Sequence, residues 1–228
     1  MTEYIRVDVE GLNDLLGGGL VRGGVVVLEQ SRNGLVDELV MNVGLDVVDE
    51  QLSMTLLPPM SLTREQLDGF LTRLHVSLKR LLDNDQLFVL DTAGTWAGEG
   101  ESVFDIRSPD EVRSATTTAL ERSRARGTVH VVDVSAMSET VGANDSIDLL
   151  EWYDESLRGR RDLLMAIVSL DETPAAVRDA YRAAATQIIG IGETDGRRTL
   201  TVERTPDGET GATRGLRYLT EEPFVELV

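Results

Sequence analysis

Four consecutive apolar residues, Val25-Val26-Val27-Leu28, follow the pair Gly23-Gly24 and are closed by Glu29. Three of the four are β-branched, which suits a pleated strand, and no polar residue alternates with them. A strand that is apolar on both faces has to be covered on both faces, and a parallel sheet sandwiched between helices meets that demand. The run is therefore expected near the middle of such a sheet. Leu87-Phe88-Val89-Leu90, closed by Asp91, repeats the pattern, as do residues 129–134 and 163–170. Residues 52–57 form a weaker strand candidate, ended by Pro58-Pro59, which cannot continue a ladder.

Helical periodicity fills the intervals. Leu39, Val40, Val43 and Val47 share one face of a helix after the loop that follows the first run. Thr63 and Gln66 have the spacing of a capping box, and Leu67, Leu71, Leu74, Leu78 and Leu81 continue from them as one apolar stripe, which predicts a single long helix. Ser108-Pro109-Asp110-Glu111 supplies a hydroxyl cap, a proline at the first helical position and a glutamate three residues after the cap, predicting a helix to about residue 126. Residues 147–157 read as another helix, and Thr173-Pro174 starts one more. The tail changes character: short strands at 188–191, 199–203 and 216–219 are separated by Asp195-Gly196 and Pro206-Asp207-Gly208, the turn signals of an antiparallel meander. No linker divides the chain, so residues 1–228 are expected to form one domain.

Charge narrows the function classes. The chain carries 40 acidic residues against 22 basic ones, a formal charge of −18. That balance repels nucleic-acid phosphates and sets nucleic acid aside as an unlikely partner. Lys79 is the only lysine, every other cation being an arginine. An acidic excess with almost no lysine points to a halophilic protein whose self-repulsion is screened over roughly 3 Å at 1 M salt. The chain has no cysteine, which excludes disulfides, thiolate metal sites and sulfur nucleophiles. No apolar run approaches the roughly 20 residues of a membrane span, and a cytoplasmic location with no membrane partner is the expectation.

The segment Gly11-Leu12-Asn13-Asp14-Leu15-Leu16-Gly17-Gly18-Gly19-Leu20-Val21-Arg22-Gly23-Gly24, running into Val25-Val26-Val27-Leu28-Glu29, resembles the lead-in to the phosphate loop of the RecA/KaiC/RadA superfamily. There a phrase of the form G-L-D-x-L-L-G-G-G-L-x-x-G precedes the strand that feeds the loop. The strand ending in Asp91, the strand at 163–170 and the closing residues 198–204 extend the resemblance over most of the chain. It implies an α/β fold, a RecA-like (P-loop NTPase) three-layer sandwich with a mainly parallel central sheet and a C-terminal antiparallel β-meander, and a KaiC-like, haloarchaeal protein.

What the family places next is G-x-x-G-x-G-K-[ST], whose backbone N–H groups approach phosphate, whose lysine neutralises it and whose hydroxyl holds magnesium. Alignment without gaps instead puts Gln30, Asn33 and Leu35 at the glycines, Val36 at the lysine and Asp37 at the hydroxyl, with Gly34 one place out of register. Losing the lysine forfeits charge-assisted contacts of roughly 1.5–3 kcal/mol apiece. An aspartate beside the phosphates adds repulsion of about 4 kcal/mol at 4 Å and an effective dielectric of 20. Arg32 is the residue able to compensate in part. On a plainer reading Asn33 caps the following helix and Asp37 meets the positive end of its dipole.

Asp91 resembles the family's Walker B aspartate, which orients magnesium through water; alternatively it caps its own turn, Thr92-Ala93-Gly94. The glutamate that activates water in hydrolysing relatives has no counterpart in residues 54–60, the nearest acid being Glu65 in the next helix. The resemblance thus implies a degenerate Walker A and a vestigial nucleotide site of Arg32, Asn33, Gly34, Asp37 and Asp91, with no catalytic residue, no resident metal, and ATP with magnesium not expected. The leading functional expectation is a non-catalytic regulatory or assembly protein, a pseudoenzyme that engages a protein partner or itself. An ATP-binding protein using Arg32 and Asp91, and a RadB-like recombination accessory protein binding DNA, are the alternatives.

The remaining chemistry-bearing residues have plain readings. His75 and His130 are far apart and suit structural roles rather than a metal pair. Glu99/Glu101 and Glu221/Glu222 suit solvated surface. Arg158, Arg160 and Arg161, and Arg122, Arg124 and Arg126, suit helix ends that pair with neighbouring acids. Trp96 and Trp152 suit either buried packing or an interface.

Overall fold

The computed structural model describes residues 2–7, 9, 11–31, 52–58, 62–73, 75–96, 100–123, 125, 127–157, 162–195, 197–218 and 225–228. Two short antiparallel strands, β1 (Tyr4–Ile5) and β2 (Leu20–Val21), flank a single helical turn, α1 (Leu12–Leu15), and lead into β3 (Val25–Gln30). Then come β4 (Ser53–Leu57), α2 (Arg64–Arg73), α3 (Leu78–Asp83), β5 (Leu87–Asp91), β6 (Val103–Asp105), α4 (Pro109–Arg122) and β7 (Thr128–Asp133). They are followed by α5 (Val134–Val141), α6 (Ala143–Leu157), β8 (Leu163–Ser169) and α7 (Ala175–Ala184). The closing strands are β9 (Gln187–Thr194), β10 (Arg197–Arg204), β11 (Thr213–Tyr218) and β12 (Val225–Leu227). The helix expected from Leu39, Val40, Val43 and Val47 lies outside the described residues.

Among the described residues ten strands form one sheet in the order β12-β11-β10-β9-β3-β8-β7-β4-β5-β6. The first apolar run is central, as its pattern requires: β3 pairs in parallel with β8 (Val25↔Leu164 to Gln30↔Ser169) and with β9 (Val26↔Gln187 to Gln30↔Ile191). Val25 and Val27 enter a core with Val112, Met137, Leu149, Val177 and Tyr181 of the helices on one face. Val26 and Leu28 enter a second core with Leu12, Leu67, Leu71, Leu78 and Leu81 on the other. Each side chain so buried contributes about 1.5–3 kcal/mol relative to exposure, so moving β3 to an edge would cost several such terms.

Three expectations need correction or sharpening. β4, the weak candidate, is an interior strand between β5 and β7 with all five residues buried. Its pattern was weak because two of those residues are polar, and both are satisfied sideways. Ser53 Oγ lies 2.8 Å from Thr128 Oγ1, and Thr55 Oγ1 lies 2.8 Å from His130 Nδ1.

The single long helix is two helices. The capping box starts α2 as expected, with Gln66 N–H donating to Thr63 Oγ1 and Thr63 N–H to Gln66 Oε1. The helix then stops at Arg73, His75 takes a positive φ of 58°, and Val76 N–H closes back on Leu71 O. Ser77 restarts the chain as the cap of α3, accepting from Arg80 N–H. The break leaves Leu67, Leu71, Leu78 and Leu81 in one core, so the apolar stripe survives while the helix does not.

The third concerns α4, which ends at Arg122 rather than near residue 126. At its start Ser108 accepts from Glu111 N–H as expected, but Glu111 reaches one residue further back, accepting from Arg107 N–H. Among the described residues no helix is long and apolar enough to cross a membrane.

Candidate functional site: the carboxyl edge beside β3

The family-like lead-in sits at the amino end of β3 and works through its backbone. Gly19, at φ +129°, has no room for a Cβ, which would lie 2.2 Å from Ile5 O. At Gly17, φ +74°, a Cβ would lie 2.5 Å from the Asp207 carbonyl carbon. These close approaches let the turn of the C-terminal meander bond directly to the lead-in: Glu209 N–H donates to Leu15 O and Thr205 Oγ1 to Leu16 O. Buried Gln187 on β9 completes the joint, accepting from Val21 N–H and donating to Gly19 O. The glycine phrase therefore splices the N-terminal strands, β3 and the meander together. It is a packed joint rather than a flexible turn.

Ligands of open α/β sheets sit beyond the carboxyl ends of the strands. Arg32, Asn33, Gly34 and Asp37, expected there after β3, lie outside the described residues, as do Leu35 and Val36. Asp91 is described, and it does not reach that place. Its strand β5 is four positions from β3 in the sheet, with β8, β7 and β4 between, roughly 19 Å at the usual strand spacing. Its carboxylate is also committed: Oδ1 accepts from the N–H groups of Ala93, Gly94 and Thr95, and Oδ2 from Trp96 N–H. Asp91 is thus the cap of its own turn. Of the two readings its sequence offered, the cap of Thr92-Ala93-Gly94 is the one its hydrogen bonds make.

The carboxylate that the sheet brings nearer is Asp133, closing β7 and separated from β3 by β8 alone, roughly 10 Å away. It is 6 % exposed and caps α5, accepting from Ala136 N–H at 2.8 Å. Its signal in the sequence resembles that of Asp91, a mainly apolar run closed by aspartate, and sequence reasoning missed it for want of the lateral order. β4, between β7 and β5, ends in Leu57 and Pro58 with no acid.

Glu29, one residue from the end of β3, is 3 % exposed and forms an ion pair with Arg182 of α7. The other arm of Arg182 reaches Glu203 of β10 at 2.7 Å. The hydrogen bond to Glu203, then that to Glu29, raises the Arg182 pKa further. Glu29 Oε1 has no hydrogen-bond partner among the described residues. A β-bulge makes the triad: register slips between Val202 and Arg204, where Val202 opposes Ile189 and Arg204 opposes Ile188. Two consecutive side chains thereby serve α7. Glu203 meets Arg182, and Arg204 donates to the carbonyls of Arg182 and Ala185 at the helix end. The negative charge at the end of the loop-bearing strand is therefore neutralised from within the fold.

Apart from Asp133, the described acids at this edge are committed elsewhere or absent. Asp91 is remote and spent on four N–H groups, β4 supplies no carboxylate, and Glu29 is held by Arg182. Glu65, the nearest acid in sequence, is exposed on α2, its carboxylate kept below the usual range by its own N–H and by Thr63. His130 is buried against Thr55 and Tyr153, and His75 marks the helix break. No cluster of metal-ligating side chains occurs among the described residues. Trp96 is fully buried, and Trp152 stacks edge-on against Tyr153. Arg122 anchors Asp85, Ser102 and the Glu101 carbonyl. Arg124, Arg126, Arg158, Arg160, Arg161, Glu99, Glu221 and Glu222 lie outside the described residues.

No family model matches the chain, and among curated protein sequences there is no significant match. Solved structures do match. The KaiC-like protein PH0186 of the archaeon Pyrococcus horikoshii superposes with a TM-score of 0.78 at 8 % identity, covering 100 % of both chains. The uncharacterised protein PH0321 of the same organism, solved with an unknown peptide, gives 0.76 at 14 % identity over 97 % of each. The flagellar accessory protein FlaH of Methanocaldococcus jannaschii gives 0.73 at 14 % identity over 100 % of this chain and 99 % of that one. At these identities the likeness is one of fold: the chain has the KaiC-like RecA fold, with the parallel sheet and closing antiparallel strands that its sequence implied.

Proposed function

We propose that this chain is a non-catalytic KaiC-like regulatory or assembly protein of a salt-rich cytoplasm, a pseudo-ATPase that uses the RecA fold as a surface for a protein partner. The observation that carries the proposal is the chemistry at the carboxyl edge. Gln30, Asn33, Leu35, Val36 and Asp37 occupy the places of the glycines, lysine and hydroxyl of a phosphate loop. Asp91 is spent on its own turn and Glu29 on Arg182. Catalysis of phosphoryl transfer is positioning and charge stabilisation, and these replacements remove the groups that supply both. Two structural neighbours support the partner side of the reading: FlaH is a flagellar accessory protein, and PH0321 was solved with a peptide.

The test is a thermal-shift series with Mg-ATP in molar KCl, beside co-purification from the native host. Saturation at 100 times a dissociation constant would stabilise the chain by about 2.7 kcal/mol. No shift at millimolar nucleotide, with a protein partner retained on the chain, is the expected result. A saturable shift would replace the proposal with an atypical nucleotide-binding protein.

A further inference from the structure

We draw no further inference here: the strongest candidate, the face of the closing meander on which Gly190 and Gly192 of β9, Thr199 and Thr201 of β10 and Thr213 and Gly215 of β11 lie side by side, is a stripe of small residues, and nothing among the described residues shows what covers it.

Discussion

The parallel half of the sheet and the antiparallel meander handle charge in opposite ways. At the carboxyl edge of the parallel strands Glu29, Asp91 and Asp133 are all buried, and each is met by a donor of its own chain, an arginine in one case and backbone N–H groups in the others. In the meander Arg197 and Arg217 are exposed at a fork where the ladder has already ended. In RecA-like folds the parallel edge is where a ligand is expected, and here its described acids are turned inward. The two regions meet at the bulge, where Glu203 and Arg204 of the meander hold α7 against β3.

The largest way to break that comparison is to remove the cation that serves the buried edge. Arg182→Ala leaves Glu29 in the core without its counter-charge, a loss of about 3 kcal/mol on the scale of broken buried pairs. That corresponds to a fall in Tm of roughly 6–12 °C for a chain of this size. Glu29→Gln in the Arg182→Ala background is expected to recover most of the fall in a calorimetric double-mutant cycle, and a fall unchanged by it would show that Arg182 acts through packing alone.

Asp91→Asn keeps the shape of the turn but withdraws charge from four N–H bonds, at about 2 kcal/mol. Chemical denaturation reads that loss. If Asp91 served a nucleotide instead, the variant would be near-neutral in stability and altered in ligand response.

The smallest effect sharpens the contrast between buried and exposed titrating groups. Burial pushes the Tyr153 hydroxyl up to about 12, and burial likewise raises Tyr181. The unfolded chain loses these protons near pH 10 while the folded chain keeps them, so the stabilisation is complete below pH 10 and declines as pH rises toward 12. The slope approaches 1.4 kcal/mol per unit for one group. Tyr153→Phe is expected to flatten the alkaline limb of a melting-temperature profile. Half-buried Tyr4, whose pKa is raised chiefly by its hydrogen bond to Asp207 in the meander joint, acts in the same direction, and its replacement by phenylalanine is expected to flatten that limb by less, because solvent screens the interaction.

Much of the architecture was legible residue by residue. A run such as Val25-Val26-Val27-Leu28 states its own burial, because two apolar faces require two covers. Thr63/Gln66 and Ser108/Glu111 announce helix starts through bonds made within four residues. The candidate site was less legible. Asp91 and Asp133 close similar apolar runs, and nothing local separates the one four strands from β3 from the one two strands away. The Glu29–Arg182–Glu203 triad joins residues from three distant parts of the chain, and no short-range spacing marks it.

Amino-acid pattern alone was enough to establish a helix-covered parallel sheet and a glycine-tuned entry to its first long strand. Those features follow from burial period, backbone freedom and side-chain chemistry, which each residue carries with it. Lateral strand order, the split of the leucine-striped helix at His75, the bulge at Glu203 and the fork between Thr199 and Gly215 came from the assembled fold. Each depends on which distant surfaces pack together, a free-energy balance summed over the whole chain that no short window of it contains.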